Sequence, residues 1–366
     1  MRLPERAVLA PSTYSEISTA VRRRASAQAV EQRGPEAGEY NVQRRLHLAR
    51  RERMTRTVGF VGAGRMGGAI AQRLAEAAEW EVFVYDPAAA ALTRFDGTRV
   101  HIAATPHEIA ERCTYVVSSL PLPEDVDRLY SSAGIGSTLR PQNVVIDLST
   151  IDPYTGRHAA DVVAASGAAF VASPLGMGPR QAADGTLPLY LGGDGPALAR
   201  AAALLDAMSP NQYVIGGVEQ AYAVKLAINY VSMSNLAVLL EGFGIGAAAG
   251  VDPDLLCKLM QDGGARSFQS DVRLPWVLAG DFTPRFGIDL AQKDMRLAID
   301  LAARYHAPAA TGAAALQHFS SAQRSGLGAS DIGAIWKVVG TKGVTGFVGM
   351  PPSRAFGRRR AAPRDR

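Results

Sequence analysis

Short apolar runs alternate with longer amphipathic stretches between residues 57 and 215. The runs are rich in Val, Ile, Leu and Phe, and several lack polar interruptions, which is typical of strands buried on both faces of a parallel sheet. The predicted strands cover residues 58–61, 81–85, 114–120, 143–147, 169–171, 187–191 and 212–215. Helical stretches such as 153–165 and 197–207 lie between several of them. The alternation predicts an α/β fold with a doubly wound parallel sheet of the Rossmann type.

The pattern changes after Gly217, because no further strand-like run follows. Residues 219–249 contain few helix-breaking residues before Gly242 and Gly244, and they predict one long helix. Further helices are predicted at 253–261, 289–305, 308–324 and 330–338. We therefore predict a Rossmann domain at 54–216, an all-helical domain at 217–345, and basic extensions at 1–53 and 346–366.

The longest apolar run, residues 226–240, does not have the pattern of a membrane span. It is interrupted by Asn229, Ser232, Ser234 and Asn235. A span needs roughly 20 mainly apolar residues, which is longer than this run. We expect a long buried helix and no membrane partner.

The net charge of +5 belongs to the N-terminal extension. Residues 1–53 contain eleven arginines and six glutamates, and the rest of the chain is balanced. No aromatic side chains interrupt the arginines of the basic C-terminal stretch, so base stacking on nucleic acid is disfavoured. We expect solvated, disordered extensions at both ends. Our hypothesis is that residues 1–53 are dispensable and that translation naturally starts at Met54.

The two cysteines, Cys113 and Cys257, lie far apart in the sequence. Their spacing predicts neither a disulfide framework nor a zinc site, and we expect both to be core residues. The N-terminal extension has no apolar segment of a secretory signal, and its glutamates disfavour a transit peptide. A reducing cytoplasm is the simplest interpretation, and no metal site is predicted.

Three glycines follow the first predicted strand. Gly62, Gly64 and Gly67 lie between the apolar run and the helical sequence that follows it. In a strand–turn–helix unit, the first glycine permits the turn, the second lets a pyrophosphate approach, and the third lets the helix pack closely. Backbone amides of the loop, including those of Arg65 and Met66, would meet the phosphates at the positive end of the helix. The spacing predicts a dinucleotide site; the alternative is a glycine-rich turn without a ligand.

Asp86 ends the second predicted strand, at about the distance from the glycines that a ribose-binding carboxylate requires. Its charge favours NAD, because a carboxylate repels the 2′-phosphate of NADP. Pro87 follows it, and no arginine stands directly after it. Arg65 and Arg94 leave NADP as an alternative.

Lys225 and Asn229 have the i, i+4 spacing that places two side chains on one face of a helix. Apolar residues surround the lysine in the sequence. Burial lowers the pKa of a lysine toward the range that is useful for proton transfer. The alternative is a lysine whose ammonium extends to solvent.

A glycine-rich loop, residues 173–179, follows the strand predicted at 169–171. Such a loop can present several backbone amides to an anion such as a carboxylate. The alternative is an ordinary connecting loop.

These segments together resemble the β-hydroxyacid dehydrogenase family, which includes 3-hydroxyisobutyrate dehydrogenase and tartronate semialdehyde reductase. The similarity covers residues 57–340 and runs through five segments in the same order as in the family. They are the glycine segment 58–67, Ser119-Leu120-Pro121, the Asp-x-Ser-Thr-x-x-Pro segment 147–153, the segment 225–229 and the pair Lys293-Asp294.

The resemblance implies a role for each of these segments. Lys225 would act as general acid and base on the substrate oxygen, and Asn229 would orient the substrate. The implied coenzyme contacts are Leu120, Pro121, Thr150 and Lys293. The implied substrate contacts, besides Asn229, are Ser149, Gly176, Met177 and Gly178. The implied reaction interconverts a small β-hydroxy acid and its semialdehyde by hydride transfer with a nicotinamide coenzyme.

Two departures from the family pattern concern the substrate. Gly176 and Met177 stand where the family usually has serine and glycine, so one hydroxyl donor is lost and apolar bulk is gained. Tyr222 replaces a usually small residue one turn before Lys225, and we expect it to border the pocket. These changes leave the reaction type intact and leave the identity of the acid open.

Other functions remain open at this level. An imine reductase shares the two-domain plan, but such enzymes generally lack a lysine at the position of Lys225. A reductase of glyoxylate or another semialdehyde, and a non-catalytic binding protein with a degenerate dehydrogenase fold, are further alternatives. The long apolar helix and the family resemblance both favour a homodimer or homotetramer.

Overall fold

The computed structural model describes residues 56–340. The expectations for the N-terminal extension, for Met54 and for the basic C-terminal tail lie outside these residues. Within them, the change from a sheet to helices falls between Gly216 and Val218.

One sheet of eight strands forms the first part of the described chain, in the order β3-β2-β1-β4-β5-β6-β7-β8. The strands are β1 (Arg56–Val61), β2 (Trp80–Tyr85), β3 (His101–Ile102), β4 (Tyr115–Ser118), β5 (Val144–Asp147), β6 (Ala169–Ala172), β7 (Leu189–Gly192) and β8 (Gln212–Gly216). β1 to β6 pair in parallel, whereas β7 runs antiparallel to β6 and parallel to β8. The α/β prediction is confirmed, with the correction that the last two strands reverse direction.

Seven helices accompany the sheet among the described residues. They are α1 (Arg65–Glu76), α2 (Ala89–Leu92), α3 (Pro106–Arg112), α4 (Pro123–Tyr130), α5 (Pro153–Ala165), α6 (Pro179–Asp184) and α7 (Gly195–Met208). Buried strand residues alternate between two apolar clusters, with Val117 in one and Val116 in the other. Because successive strand side chains point to opposite faces, these clusters are the cores on the two sides of the sheet.

The second part of the described chain is helical. Its helices are α8 (Val218–Ala248), α9 (Pro253–Asp262), α10 (Leu274–Leu278), α11 (Ile288–Arg304), α12 (Ala310–Ala322) and α13 (Trp336–Val339). A π-helical turn, Gln269–Arg273, precedes α10, and a 3₁₀ turn, Ile332–Ile335, precedes α13. The helical stretch predicted at 330–338 is therefore a 3₁₀ turn followed by a short α-helix.

α8 is the long helix expected from the sequence, with 31 residues. By length and composition it is the one helix among residues 56–340 that could cross a membrane, and nearly half of its most apolar window is buried in the fold. It packs against α11 and α12 of its own domain and against α5 of the sheet domain. Its buried face contributes to the third apolar core, together with side chains such as Trp336 and Phe319. α8 therefore packs against both domains.

The two cysteines are core residues, as predicted. Cys113 is 3% exposed and Cys257 is 7% exposed, and both are free thiols. Burial raises the pKa of the Cys113 thiol to about 12, so this side chain stays protonated.

Candidate active site between the sheet and helix α8

A cavity of about 2450 Å³ lies at the carboxyl ends of β1, β4 and β5 and extends to α8 and α11. It is larger than a typical small-ligand pocket, which leaves room for a dinucleotide and a second small molecule. The predicted site residues that line it are Gly62, Gly64, Arg65, Met66, Asp86, Leu120, Pro121, Ser149, Thr150, Gly176, Met177, Gly178, Lys225, Asn229 and Lys293. Residues as far apart in the sequence as Gly62 and Lys293 therefore line the same cavity.

The glycine loop has the geometry of a phosphate cradle. Gly62 has φ +96°, and a side chain there would meet the Ser119 carbonyl oxygen at 2.4 Å. At Gly64, by contrast, a Cβ would meet no atom within 4 Å. The helix α1 begins directly after Gly64 without a side-chain cap, so its first amides are free for a ligand. Open space beside uncapped amides fits the pyrophosphate of a dinucleotide.

Gly67 is a predicted site residue that lies outside the lining of this cavity. Its Cβ position lies 2.2 Å from the Gly62 carbonyl oxygen, so even an alanine would collide with the turn. Gly67 therefore acts from behind the loop, by allowing α1 to approach β1, as the glycine spacing predicted.

Asp86 lies at the end of β2, where its two carboxylate oxygens accept from backbone amides. Oδ2 accepts from Ala63 N and Oδ1 from Ala88 N, each at 2.9 Å. These bonds fix the carboxylate against the glycine loop. Arg94 also reaches this loop, where its Nη1 donates to the Gly64 carbonyl at 3.2 Å. One anionic and one cationic side chain thus flank the expected ribose position.

Lys225 and Asn229 lie on the buried face of α8, as their spacing predicted. The Lys225 Nζ donates to Asn229 Oδ1 at 3.0 Å. Burial lowers the pKa of Lys225 to about 8, an effect opposed by the nearby Asp294 carboxylate and reinforced by the Lys293 charge. The alternative of a lysine that extends to solvent is excluded, because the residue is only 9% exposed.

Asp294 is a site residue that sequence reasoning did not single out. Its Oδ2 accepts from Asn229 Nδ2 at 2.7 Å, which leaves the Asn229 carbonyl oxygen directed to Lys225. Its Oδ1 forms an ion pair with Lys293 at 3.1 Å that is not a well-directed hydrogen bond. The sequence did contain a signal for Asp294, because it directly follows Lys293 in the pair that resembles the family's Lys-Asp pair.

Lys293 joins the two domains. Its Nζ donates to the carbonyl oxygens of Pro121 at 2.8 Å and Thr150 at 2.5 Å. These two residues belong to the loops after β4 and β5. A single ammonium on α11 therefore holds both loops and the Asp294 carboxylate at the same time.

Asp147 is the centre of a second buried polar cluster, at the end of β5. It accepts hydrogen bonds from the hydroxyls of Ser118, Ser149 and Tyr222 at 2.5, 2.8 and 2.7 Å. Burial raises the pKa of the Asp147 carboxyl, although these three donors oppose the shift. Ser149 in turn accepts from the Leu120 amide at 2.9 Å, so this cluster positions the loop that carries Leu120 and Pro121.

Tyr222 corrects one expectation from the sequence. It is fully buried and does not border the cavity. Its ring lies over Gly156 of α5, where a Cβ would come within 2.1 Å of the ring. Tyr230, two turns further along α8, lies over Gly312 of α12 in the same way and accepts a hydrogen bond from its amide at 2.8 Å. The two tyrosines anchor α8 on either side of Lys225.

The loop around Met177 presents less backbone to an anion than the sequence suggested. The Gly176 amide donates to the Pro188 carbonyl oxygen, and the Gly178 amide donates to Gln181 Oε1. Within residues 56–340, the Met177 amide is the one of these three that remains free. Met177 has a left-handed backbone with φ +63° and a half-exposed side chain that lines the cavity.

No three His, Cys, Asp or Glu side chains between residues 56 and 340 are arranged to hold a metal ion. The chemistry available in the cavity is a lysine with a lowered pKa, an oriented amide and a dinucleotide cradle. This combination suits proton transfer coupled to a reaction of a bound coenzyme.

Comparison with family models matches both domains. Residues 57–216 match the NAD-binding domain of 6-phosphogluconate dehydrogenase, and residues 220–339 match the NAD-binding domain of NADP-dependent 3-hydroxyisobutyrate dehydrogenase.

Among curated proteins, the chain is 32% identical to 3-sulfolactaldehyde reductase from Escherichia coli K12 over 287 residues, which are 77% of this chain and 95% of that protein. It is 28% identical to L-threonate dehydrogenase from Cupriavidus necator, over 78% of this chain and 96% of that protein.

Solved structures give the same picture. A 3-hydroxyisobutyrate dehydrogenase from Salmonella typhimurium superposes with a TM-score of 0.71 at 25% identity, over 77% of this chain and 99% of that one. An imine reductase from a Pseudomonas species has a TM-score of 0.51 at 19% identity, over 78% of this chain and 99% of that one, and shares the fold alone.

Proposed function

Because the chain belongs to the β-hydroxyacid dehydrogenase family, we propose that it interconverts a small β-hydroxy acid and its semialdehyde. It is an NAD(P)-dependent oxidoreductase that acts on a CH–OH group. The observation that carries the proposal is the buried Lys225–Asn229 pair, which lines the same cavity as the glycine loop.

Lys225 exchanges one proton with the substrate oxygen. A bound nicotinamide coenzyme supplies the hydride acceptor for oxidation and the hydride donor for reduction. In oxidation the neutral amine takes the hydroxyl proton, and in reduction the ammonium returns it to the forming alkoxide. A pKa of about 8 makes both protonation states accessible near neutral pH. Asn229, held by Asp294, fixes the direction of the Lys225 amine.

The substrate carboxylate binds at the loop around Met177. The free Met177 amide is its hydrogen-bond donor. Ser149 lies at the edge of the same space, although its hydroxyl already donates to Asp147. The Ser149 hydroxyl can therefore contact the substrate only as a hydrogen-bond acceptor.

NAD is the coenzyme that we propose, with NADP as the alternative. The fixed Asp86 carboxylate at the ribose end supports NAD, since it would repel a 2′-phosphate. Arg65 and Arg94 line the same end of the cavity and are the side chains that could accept NADP instead. Turnover with NADH and NADPH at equal concentration tests the choice, and a strong preference for NADPH would contradict the role of Asp86.

A homodimer is proposed from the exposed face of α8. Val231, Val238 and Ile245 are each more than half exposed and recur every seven residues. Asn235 and Gly242 lie between them, so the stripe of these five residues has the 3–4 spacing of a helix-pairing seam. We call these five residues the α8 stripe. Leu255 and Leu259 on α9 are further exposed apolar side chains of the same domain.

A reducing cytoplasmic location is also proposed. Cys113 and Cys257 are buried free thiols, which supports a compartment that does not form disulfides.

Two alternatives are less well supported. An imine reductase shares the fold, but the solved examples are more distant than the dehydrogenases. A non-catalytic binding protein would not require the series of polar side-chain contacts that runs from Lys225 through Asn229 and Asp294 to Lys293.

A coenzyme-linked assay tests the proposal. Purified protein is mixed with NADH and, in a parallel series, with NADPH. Small semialdehydes, glyoxylate and cyclic imines are added in turn, and the loss of coenzyme absorbance is followed. Turnover of a semialdehyde is expected. Turnover of imines alone would favour the imine reductase, and no turnover with any of them would favour the binding protein.

A further inference from the structure

Tyr222 is a fully buried side chain whose hydroxyl is not explained by packing. Its ring fills the notch over Gly156, and a phenylalanine would fill the same notch. The hydroxyl donates to Asp147 Oδ2 at 2.7 Å, and burial raises the pKa of Tyr222 well above its ordinary value, so the proton stays on the oxygen. A hydroxyl and a carboxylate are costly to remove from water unless they bind a partner. The hydroxyl therefore has a function that the ring alone does not supply.

Asp147 connects Tyr222 to two loops that line the cavity. Its other carboxylate oxygen, Oδ1, accepts from the Ser149 hydroxyl at 2.8 Å, and Ser149 Oγ accepts from the Leu120 amide at 2.9 Å. Leu120 and Ser149 both line the cavity, in the loops after β4 and β5. One carboxylate thus binds these two loops through one oxygen and helix α8 through the other.

Lys225 lies one turn after Tyr222 on α8. The i, i+3 spacing places the two side chains on the same side of the helix, so a shift of one turn moves the other with it. From α11, Lys293 holds the same two loops through the carbonyl oxygens of Pro121 and Thr150. Two polar routes therefore join the neighbourhood of Lys225 to these loops, one through the Tyr222 hydroxyl and one through α11.

We propose that Tyr222 is a positioning residue, whose bond to Asp147 sets the distance between the Lys225 amine and the two loops that line the coenzyme space. This inference rests on the proposed function, in which the hydroxyl proton goes to Lys225 and the hydride of the same CH–OH group goes to the coenzyme. Both acceptors must therefore be placed correctly around one carbon atom at the same time. A misplacement of about 1 Å can lower the rate of such a reaction about a hundredfold.

The test compares Tyr222→Phe with the matched control Tyr230→Phe. Each variant keeps its ring over a glycine and removes one hydroxyl, from Asp147 in the first case and from the Gly312 amide of the helical domain in the second. Both should melt at a lower temperature than the wild type, because each leaves a polar group without its partner. Turnover of the best semialdehyde, counted per coenzyme-binding site, should fall at least about tenfold in Tyr222→Phe and stay near the wild-type value in Tyr230→Phe.

The pKa of Lys225 separates positioning from a loss of folded protein. Burial lowers it to about 8, and the charged side chains that act on it, Asp294 and Lys293, are unaltered in both variants. Loss of the Tyr222 hydroxyl should loosen this turn of α8, admit water to the amine and raise the pKa, so the inflection in the pH profile of kcat/KM should move to higher pH. A loss of folded protein would scale the rates at every pH and leave the inflection in place. An inflection that stays in place in Tyr222→Phe, or equal changes in the two variants, would overturn the inference.

The proposed function and this inference fail in different ways. If no substrate is turned over with either coenzyme, the proposed function fails. The pKa of Lys225 is then measured without turnover, by trace acetylation with acetic anhydride at a series of pH values and mass spectrometry of the peptide that contains Lys225. A pKa that is higher in Tyr222→Phe than in the wild type and unchanged in Tyr230→Phe supports the inference, and the same pKa in all three proteins overturns it.

Discussion

At the scale of single residues, the site depends on how burial acts on Lys225. The side chain lies among apolar residues of α8, and burial outweighs the opposing effect of Asp294 on its pKa. Asn229 accepts from the amine and is itself held by Asp294. The lysine is therefore both titratable near neutral pH and fixed in direction, the two properties that a general acid–base requires.

Replacement of Lys225 by methionine should lower kcat at least about a hundredfold, because general acid–base groups contribute roughly 10²–10⁴-fold. The dissociation constant of NADH, measured by fluorescence titration, should change little, since the glycine loop and Asp86 remain. Lys258→Met is the control, because Lys258 is exposed and, among residues 56–340, pairs with Asp262 alone. Near-normal turnover of Lys225→Met would remove the lysine from the mechanism.

The pH dependence should have opposite signs in the two directions. Oxidation requires the neutral amine, so its kcat/KM should rise as the pH increases through about 8, the pKa of Lys225. Reduction requires the ammonium, so its kcat/KM should fall over the same interval. Initial rates in both directions across this interval measure the effect. Profiles without an inflection near this pH would contradict the proposed proton transfer.

The sequence predicted the local part of this chemistry and not the long-range part. The spacing of Lys225 and Asn229 follows from helix geometry and was sufficient to place both on one face. The Asn229–Asp294 bond joins residues 65 positions apart, and no local pattern predicts such a contact. Tyr222 was misplaced for the same reason, since its partner Asp147 is 75 positions away.

At the scale of elements, the turn between β1 and α1 is defined by two glycines with different functions. Gly67→Ala should destabilise the protein by about 1–3 kcal/mol, because its Cβ would lie 2.2 Å from a backbone oxygen that cannot move aside. Urea unfolding without coenzyme measures this loss.

Gly64→Ala is the matched variant, because a Cβ there meets no atom within 4 Å and φ is −63°. Its unfolding free energy should fall by less than that of Gly67→Ala, because only the preference of the N-cap position for glycine over alanine is lost. Its affinity for the coenzyme should fall, since the methyl group would occupy the space of the pyrophosphate. Equal unfolding free energies for the two variants would refute the assignment of Gly67 to packing.

The elements themselves were largely predictable from the sequence. α5 begins and ends where the pattern placed it, because Asp152 caps the helix and Pro153 occupies its first position. Strand direction was not predictable at β7, since an apolar run carries no signal of its orientation. β3 was missed because it has only two residues, both exposed.

At the scale of the whole molecule, the α8 stripe should decide the oligomeric state. Val238→Glu places a charge in the middle of the stripe and should convert a dimer to monomers in sedimentation velocity measurements. The control is Val214→Glu, because Val214 is 68% exposed on β8 and lies outside the stripe. Retention of the dimer by Val238→Glu, or a monomeric wild type, would show that the stripe is not the interface.

Lys293 connects the two domains within the described chain. Its ammonium binds two carbonyl oxygens of the sheet domain and one carboxylate of the helical domain. The loops that would cover the nicotinamide and the residues that steer Lys225 are therefore mechanically linked.

Tyr222 and Tyr230 of α8 limit which substitutions the glycines that face them can accept during evolution. Each ring occupies a notch that exists only because the opposite residue has no side chain, Gly156 for Tyr222 and Gly312 for Tyr230. A mutation at either glycine would push α8 aside and displace the lysine between the tyrosines. In a future alignment of homologues, the members of each pair should covary, with a smaller residue at 222 or 230 wherever the facing glycine is lost.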